Sequence, residues 1–291
     1  MEKQIFDLLT AAERGAMLAD VPEVRALEKI GLLQQGRITP AGLQALEPYR
    51  ARRAVLIAAG QGSRLRPVTE CTPKPLVRVG GKRIIDTLLD GLAAVGIREI
   101  YVVCGYLGEQ FAELLAEYPD LQLIRNPLYA ETNNIVSVLL AREHLQNAYV
   151  LEADLLVHDP GIFDKYLYHS CYLGIPTERT DDWYFKTDPL GVIRELGVGG
   201  EDCYRMLGIS YWDAADGARL PAHIEAVAST RTGAKEDWCY VPLVRFREMY
   251  RVFARPCAPD AVTEIDTFGE LCALDAAYTQ SRQEQTETGG F

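Results

Sequence analysis

The chain has 291 residues, 48% hydrophobic and 24% charged, enough for one large α/β domain with a sizeable core and a small appendage. Its net charge of −11 makes it a poor candidate for a dedicated nucleic-acid binder, which the phosphate backbone would repel overall. Seven scattered cysteines with no CxxC pair exclude a disulfide or zinc framework.

Reduced cysteines fit the cytoplasm, and that location is expected. No apolar run approaches the roughly 18 residues of a membrane span. The first eight residues carry Glu2, Lys3 and Asp7, unlike a secretory signal.

Residues 1–50 read as a separate small helical module. Amphipathic spacing predicts short helices over 4–11, 14–19 and 22–33, with Pro22 in a first turn where its missing N–H is not needed. Thr39 and Pro40 form an N-cap and first-turn pair for another helix to 46. The order resembles a winged-helix module short by about one element. Seven acids against six bases leave no electrostatic footprint for DNA, so a helical cap on the main domain is the expectation.

Residues 51–278 alternate strands and helices. Buried strands are predicted at 54–59, 100–104, 121–124 and 149–151, with helices over 84–94, 107–115 and 135–145. This rhythm specifies an α/β fold, an open and mostly parallel sheet with helices on both faces. Between 171 and 211 it breaks into three strand-like runs, read as an antiparallel insert beside the sheet. Residues 279–291 are polar and are expected to be a disordered tail or a linker.

Sites in open parallel sheets lie at the carboxyl ends of strands. There the chain carries Ala58-Ala59-Gly60-Gln61-Gly62-Ser63-Arg64-Leu65-Arg66-Pro67, then Thr72-Pro73-Lys74-Pro75-Leu76. Gly60 and Gly62 let backbone N–H groups approach anionic oxygens, while Arg64, Arg66 and Lys74 add three positive charges. A polyphosphate is the guest this implies. Leu65 replaces the third glycine of a dinucleotide fingerprint, and Ser63-Arg64 replaces the Lys-Ser/Thr of a Walker A loop.

This segment resembles the signature of the nucleotidyltransferases that make nucleotide-activated sugars and alcohols. Gly105-Tyr106-Leu107, Asn126-Pro127, Asn133-Asn134, Glu152-Ala153-Asp154, Gly208 to Trp212 and Glu264-Ile265-Asp266 extend the resemblance over about residues 53–278. They are similar to the bacterial CTP:phosphocholine cytidylyltransferases and to enzymes acting on 2-aminoethylphosphonate, including a variant with a short winged-helix-like N-terminus. Some members of that family are fused to a kinase or transaminase, an implied partner. The resemblance implies transfer of CMP from CTP to phosphocholine, or alternatively to 2-aminoethylphosphonate, with release of pyrophosphate.

The resemblance makes Asp154 and Asp266 the ligands of Mg²⁺, an ion that takes one or two carboxylates plus phosphates and waters. Arg64 would hold the triphosphate and Lys74 would bridge donor and acceptor phosphates. Ala58, Ala59, Gly60, Gly62, Ser63, Gly105, Tyr106 and Asn134 are the expected nucleotide-binding residues. Asn133, Trp183, Tyr211, Trp212, Asp237 and Trp238 are the expected acceptor-binding residues, because an alkylammonium wants aromatic faces and nearby acids. Cys239 stands where the phosphocholine enzymes commonly have Asp, which weakens a literal transfer of choline specificity. Two rivals remain: a sugar-1-phosphate nucleotidyltransferase, and a nucleotide-sensing regulator that binds DNA through residues 1–50.

Overall fold

The computed structural model describes residues 1–279, so the expected tail over 279–291 lies almost wholly outside the described residues. The chain opens with helices α1 (Lys3–Glu13), α2 (Pro22–Lys29) and α3 (Pro40–Leu46), with a two-residue-strand hairpin (Leu33–Gln34 and Arg37–Ile38) before α3. Thr39 caps α3 as its sequence predicts, accepting a bond from the Gly42 N–H at 3.1 Å. The helix expected at 14–19 does not form; Gly15, at φ +78°, ends α1 instead. Phe6, Leu9, Leu27, Leu33 and Leu46 close around Tyr166 of the main body, which seats these helices on it.

The main sheet is built from β1 (Arg53–Ala58), β2 (Glu99–Cys104), β3 (Leu121–Arg125), β4 (Ala148–Glu152), β6 (Cys171–Thr187), β7 (Ile193–Trp212) and β8 (Phe253–Pro256). The short strands β5 (Leu155–Val157) and β9 (Val262–Glu264) pair with each other. The seven-stranded order is β8-β6-β7-β4-β1-β2-β3. Pairs among β4, β1, β2 and β3 are parallel, and β7 joins β4 antiparallel. The 171–211 region therefore belongs to the sheet itself. It is one long hairpin of 17- and 20-residue strands, not three short strands beside the sheet.

Side chains alternate across the strands and feed two cores. Leu56, Val102 and Leu151 pack toward Leu88, Leu89 and Leu92 of helix α4 (Ile84–Ala94). Val55, Val103 and Val150 pack toward α5 (Asn134–Leu140) and α6 (Ala214–Ala228) on the opposite face. The carboxyl ends of β1 and β4 open side by side, because Ile57 is in register with Glu152. Antiparallel pairing of Glu264 with Leu155 then brings the start of α7 (Phe268–Leu274) to the same place. No helix among the described residues is long and apolar enough to cross a membrane.

Candidate active site

The glycine-rich turn is braced from within. Gly62 sits at φ +58°, a conformation side chains rarely adopt, and a Cβ there would lie 3.0 Å from Lys74 Cβ. The buried Thr69 hydroxyl donates to the Gly62 carbonyl at 2.7 Å, folding the 62–74 loop back on itself. This loop walls one side of a cleft of about 400 Å³. Ala58, Ala59, Gly60, Gly62, Ser63, Arg64 and Lys74 all line it, as do Asn133, Asn134, Asp154 and Asp266.

Lys74 is the electrostatic centre. Only 8% exposed, its Nζ lies 2.7 Å from Asp154 Oδ2 and 3.1 Å from Asp266 Oδ1. Burial works against its charge, but the two carboxylates outweigh that, and its pKa stands above the ordinary lysine value. Arg64 Nη2 reaches the same Asp266 oxygen at 2.7 Å. Asp266 immediately precedes a capping box: Thr267 accepts from the Glu270 N–H, while Glu270 accepts from the N–H groups of Asp266 and Thr267. The other oxygen of Asp154, Oδ1, is buried without a hydrogen-bond partner. An orphaned carboxylate oxygen facing further acids fits a cation, and Asp154 and Asp266 are the residues that could hold it.

Glu152 and Glu264 are site residues with no role among the sequence-based expectations. Both stand two residues before the aspartates, and the repeated Glu-x-Asp at two strand ends is the signal that could have found them. One oxygen from each of Glu152, Asp154 and Glu264 lies within 4.8 Å of the others. Burial raises the pKa of Glu152 well above its usual value, and so do Asp154, Glu264 and Asp237. Burial, with Asp154 and Asp266, also raises that of Glu264.

Other expected residues take bracing positions. A Cβ on Gly105 would meet Tyr129 at 2.6 Å and the Ala59 carbonyl at 2.9 Å. Tyr106 donates its N–H to that carbonyl. Neither residue lines the cleft; they support Ala59 and Tyr129, which do. Asn133 caps α5 and donates its own N–H to the Ala234 carbonyl at 2.9 Å. The Asn134 amide is engaged at both ends: Nδ2 donates to Glu152 Oε1 at 3.3 Å, and Oδ1 accepts from the Trp238 N–H at 2.8 Å. Asp237, its pKa raised by burial, is hydrogen-bonded by Asn133 and Asn134 and is not one of the residues lining the cleft.

The expected aromatic cage is corrected by burial. Tyr211 and Trp212 are both fully buried, and Trp238 is 2% exposed. Trp212 packs edge-on to Tyr172, Trp238 and Tyr250, and its Nε1–H donates to the Ser210 hydroxyl. Trp212 and Trp238 belong to the core on the α6 face of the sheet and Tyr211 to the core on the α4 face, so none of the three lines the cleft. Trp183 alone is half-buried, edge-on to Tyr240 at 5.5 Å, and it does not line the cleft either. Accordingly, Trp212→Leu should lower unfolding free energy by about 2 kcal/mol in denaturant titrations and leave the acceptor KM of the folded enzyme unchanged. A selective rise in that KM at unchanged stability would return Trp212 to the pocket.

Comparisons with known proteins agree with this geometry. Residues 53–167 match the family described as nucleotidyl transferase. A 2-aminoethylphosphonate cytidylyltransferase of Lancefieldella rimae is 38% identical over 229 residues, covering 77% of this chain and 92% of that one. A choline-phosphate cytidylyltransferase of Streptococcus pneumoniae is 31% identical over 77% of this chain and 96% of its own. The solved structure of the Streptococcus pneumoniae CTP:phosphocholine cytidylyltransferase superposes with a TM-score of 0.71 at 30% identity, over 78% of this chain and 99% of that one. An inositol-1-phosphate CTP transferase of T. maritima, at 17% identity and a TM-score of 0.64, shares the fold. From the lysine-centred cleft and these similarities, the chain belongs to the nucleotidyl transferase family, among its cytidylyltransferases.

Proposed function

We propose that this enzyme transfers CMP from CTP to the phosphonate or phosphate oxygen of a small amine-bearing acceptor, with 2-aminoethylphosphonate as the preferred type. The single observation that carries the reading is Lys74, buried at the mouth of the glycine-rich loop and held between Asp154 and Asp266. The acceptor oxygen is already ionised, so no protein nucleophile is needed, and catalysis consists of positioning and charge stabilisation. The loop N–H groups and Arg64 hold the triphosphate. Lys74 draws the acceptor oxygen and the α-phosphate together and offsets the charge that grows as they meet. Asp154 and Asp266 are assigned to Mg²⁺, which fits the orphaned Asp154 Oδ1. When bound, Mg²⁺ supplies neutralisation of the departing pyrophosphate.

Two observations favour the aminophosphonate over phosphocholine. The relative with 38% identity is a 2-aminoethylphosphonate enzyme. Withdrawal of Tyr211, Trp212 and Trp238 into the core removes three of the aromatic faces expected to meet a quaternary ammonium. Phosphocholine remains the second reading, supported by the Trp183 and Tyr240 pair. Pyrophosphate release should be measured with each of the four nucleoside triphosphates against 2-aminoethylphosphonate, phosphocholine and glucose-1-phosphate. CTP with 2-aminoethylphosphonate should give the highest kcat/KM. Equal or faster turnover of glucose-1-phosphate would reject the amine acceptor.

A further inference from the structure

Asp266 stands between elements. β9 ends at Glu264 and α7 begins at Phe268, so neither a strand nor a helix fixes the backbone that carries its carboxylate. On one side that backbone is held by Ile265, fully buried with Leu65 and Leu271, whose N–H donates to the Asp154 carbonyl at 3.3 Å. On the other side it is held by Glu270. One oxygen of Glu270, Oε2, accepts from the Asp266 N–H at 2.7 Å and from the Thr267 N–H at 2.8 Å. A capping box needs only the second of these bonds, the one from the N-cap residue. The first reaches one residue further back, onto the residue whose Oδ1 meets both Lys74 and Arg64.

We infer that Glu270 is a positioning residue for phosphoryl transfer: it fixes the Asp266 backbone so that the carboxylate stands where it pairs with Lys74 and takes Mg²⁺; this rests on the reading above. Glu270 is exposed and does not line the cleft, so it acts only through Asp266. Its two bonds are charge-assisted, about twice as strong as neutral ones. Each residue outside regular structure keeps two soft backbone dihedrals. Without Glu270, rotation about those of Asp266 swings its carboxylate away from Lys74. Hydrogen-bonded partners behind a metal-binding carboxylate typically govern metal affinity or activity by about 10–100-fold.

The test separates position from helix capping. Thr267→Ala removes the hydroxyl that accepts from the Glu270 N–H and leaves both N–H groups that the Glu270 carboxylate holds. It should lower Tm by about 2–4 °C, the scale for one lost cap, with the Mg²⁺ midpoint of pyrophosphate release from CTP and 2-aminoethylphosphonate unchanged. Glu270→Ala should lower Tm similarly but raise that midpoint by about tenfold or more. Mn²⁺ binding, followed by electron paramagnetic resonance with CTP present and no acceptor, should weaken in step. Glu270→Gln keeps an oxygen for both N–H groups and should return both readouts to within about threefold of wild type. A wild-type midpoint and Mn²⁺ affinity in Glu270→Ala would reduce Glu270 to a helix cap and overturn the inference. An equal loss in Glu270→Gln would overturn it too, since charge and not position would then be at work, and so would an equal rise in Thr267→Ala. If Glu270→Ala does not fold, Glu270→Asp keeps the charge but is one methylene short of the N–H groups. It should raise the midpoint in the same way, and an unchanged midpoint there also overturns the inference. Wild-type turnover with no dependence on a divalent ion would sink the Mg²⁺ assignment above, and this inference with it.

Discussion

Lys74→Ala should lower kcat by more than about a hundredfold, the scale for removing one preorganised charge partner from a transition state. The size follows from where the ammonium is held. At 8% exposure no solvent cation substitutes for it, and the two aspartates fix its position before substrate arrives. Alanine also leaves Asp154 without its lysine partner and Asp266 with Arg64 alone, so thermal unfolding should be recorded in parallel. Lys74→Met keeps the volume and separates packing from charge. A variant that keeps kcat and only raises the KM for CTP would show that Lys74 binds ground and transition states alike.

The second large effect is expected at Asp154. Asp154→Asn should lower turnover by about a thousandfold, since the site loses a charge in a place where local electrostatics dominate the rate. The same change removes the main partner of Lys74. Excess Mg²⁺ should therefore restore only part of the activity, and the midpoint of a Mg²⁺ titration should rise. Because the backbone of residue 154 accepts from the Ile265 N–H at 3.3 Å through its carbonyl, the β5 and β9 contact survives and the fold should stay nearly intact. Wild-type turnover with asparagine at 154 would remove this residue from metal binding.

What could be read from the sequence was local. The buried parallel strands announce themselves as short apolar runs, and the glycine loop as an unusual density of glycine, proline and cations. The aromatic residues misled because a tryptophan beside acids reads alike whether the chain turns it inward or outward. Trp212 and Tyr211 are adjacent on β7, and alternation alone would leave one of them exposed. Both are buried because each face of that strand meets a core. That depends on β7 joining the main sheet beside β4, a pairing across about 60 residues that no local pattern specifies. Glu152 was hidden for a similar reason: its partners, Asn134 and Gly208, come from distant segments.

The contact between Arg64 and Asp266 closes the site across 202 residues of chain. Ile265 and Leu271 pack with Leu65, Val77 and Ile84 in one small cluster, so the phosphate loop and α7 share a single support. Synthesis runs from the N-terminus, at about 5–20 residues per second. The phosphate loop thus leaves the ribosome well before the segment that completes it, and it must wait with Lys74 lacking one of its two counter-charges. Such a long-range closure is slow by nature, because the entropy of bringing distant segments together is spent before their contacts form. A nascent chain that stops short of residue 265 can form most of the sheet, yet it lacks the residues that finish the catalytic cleft.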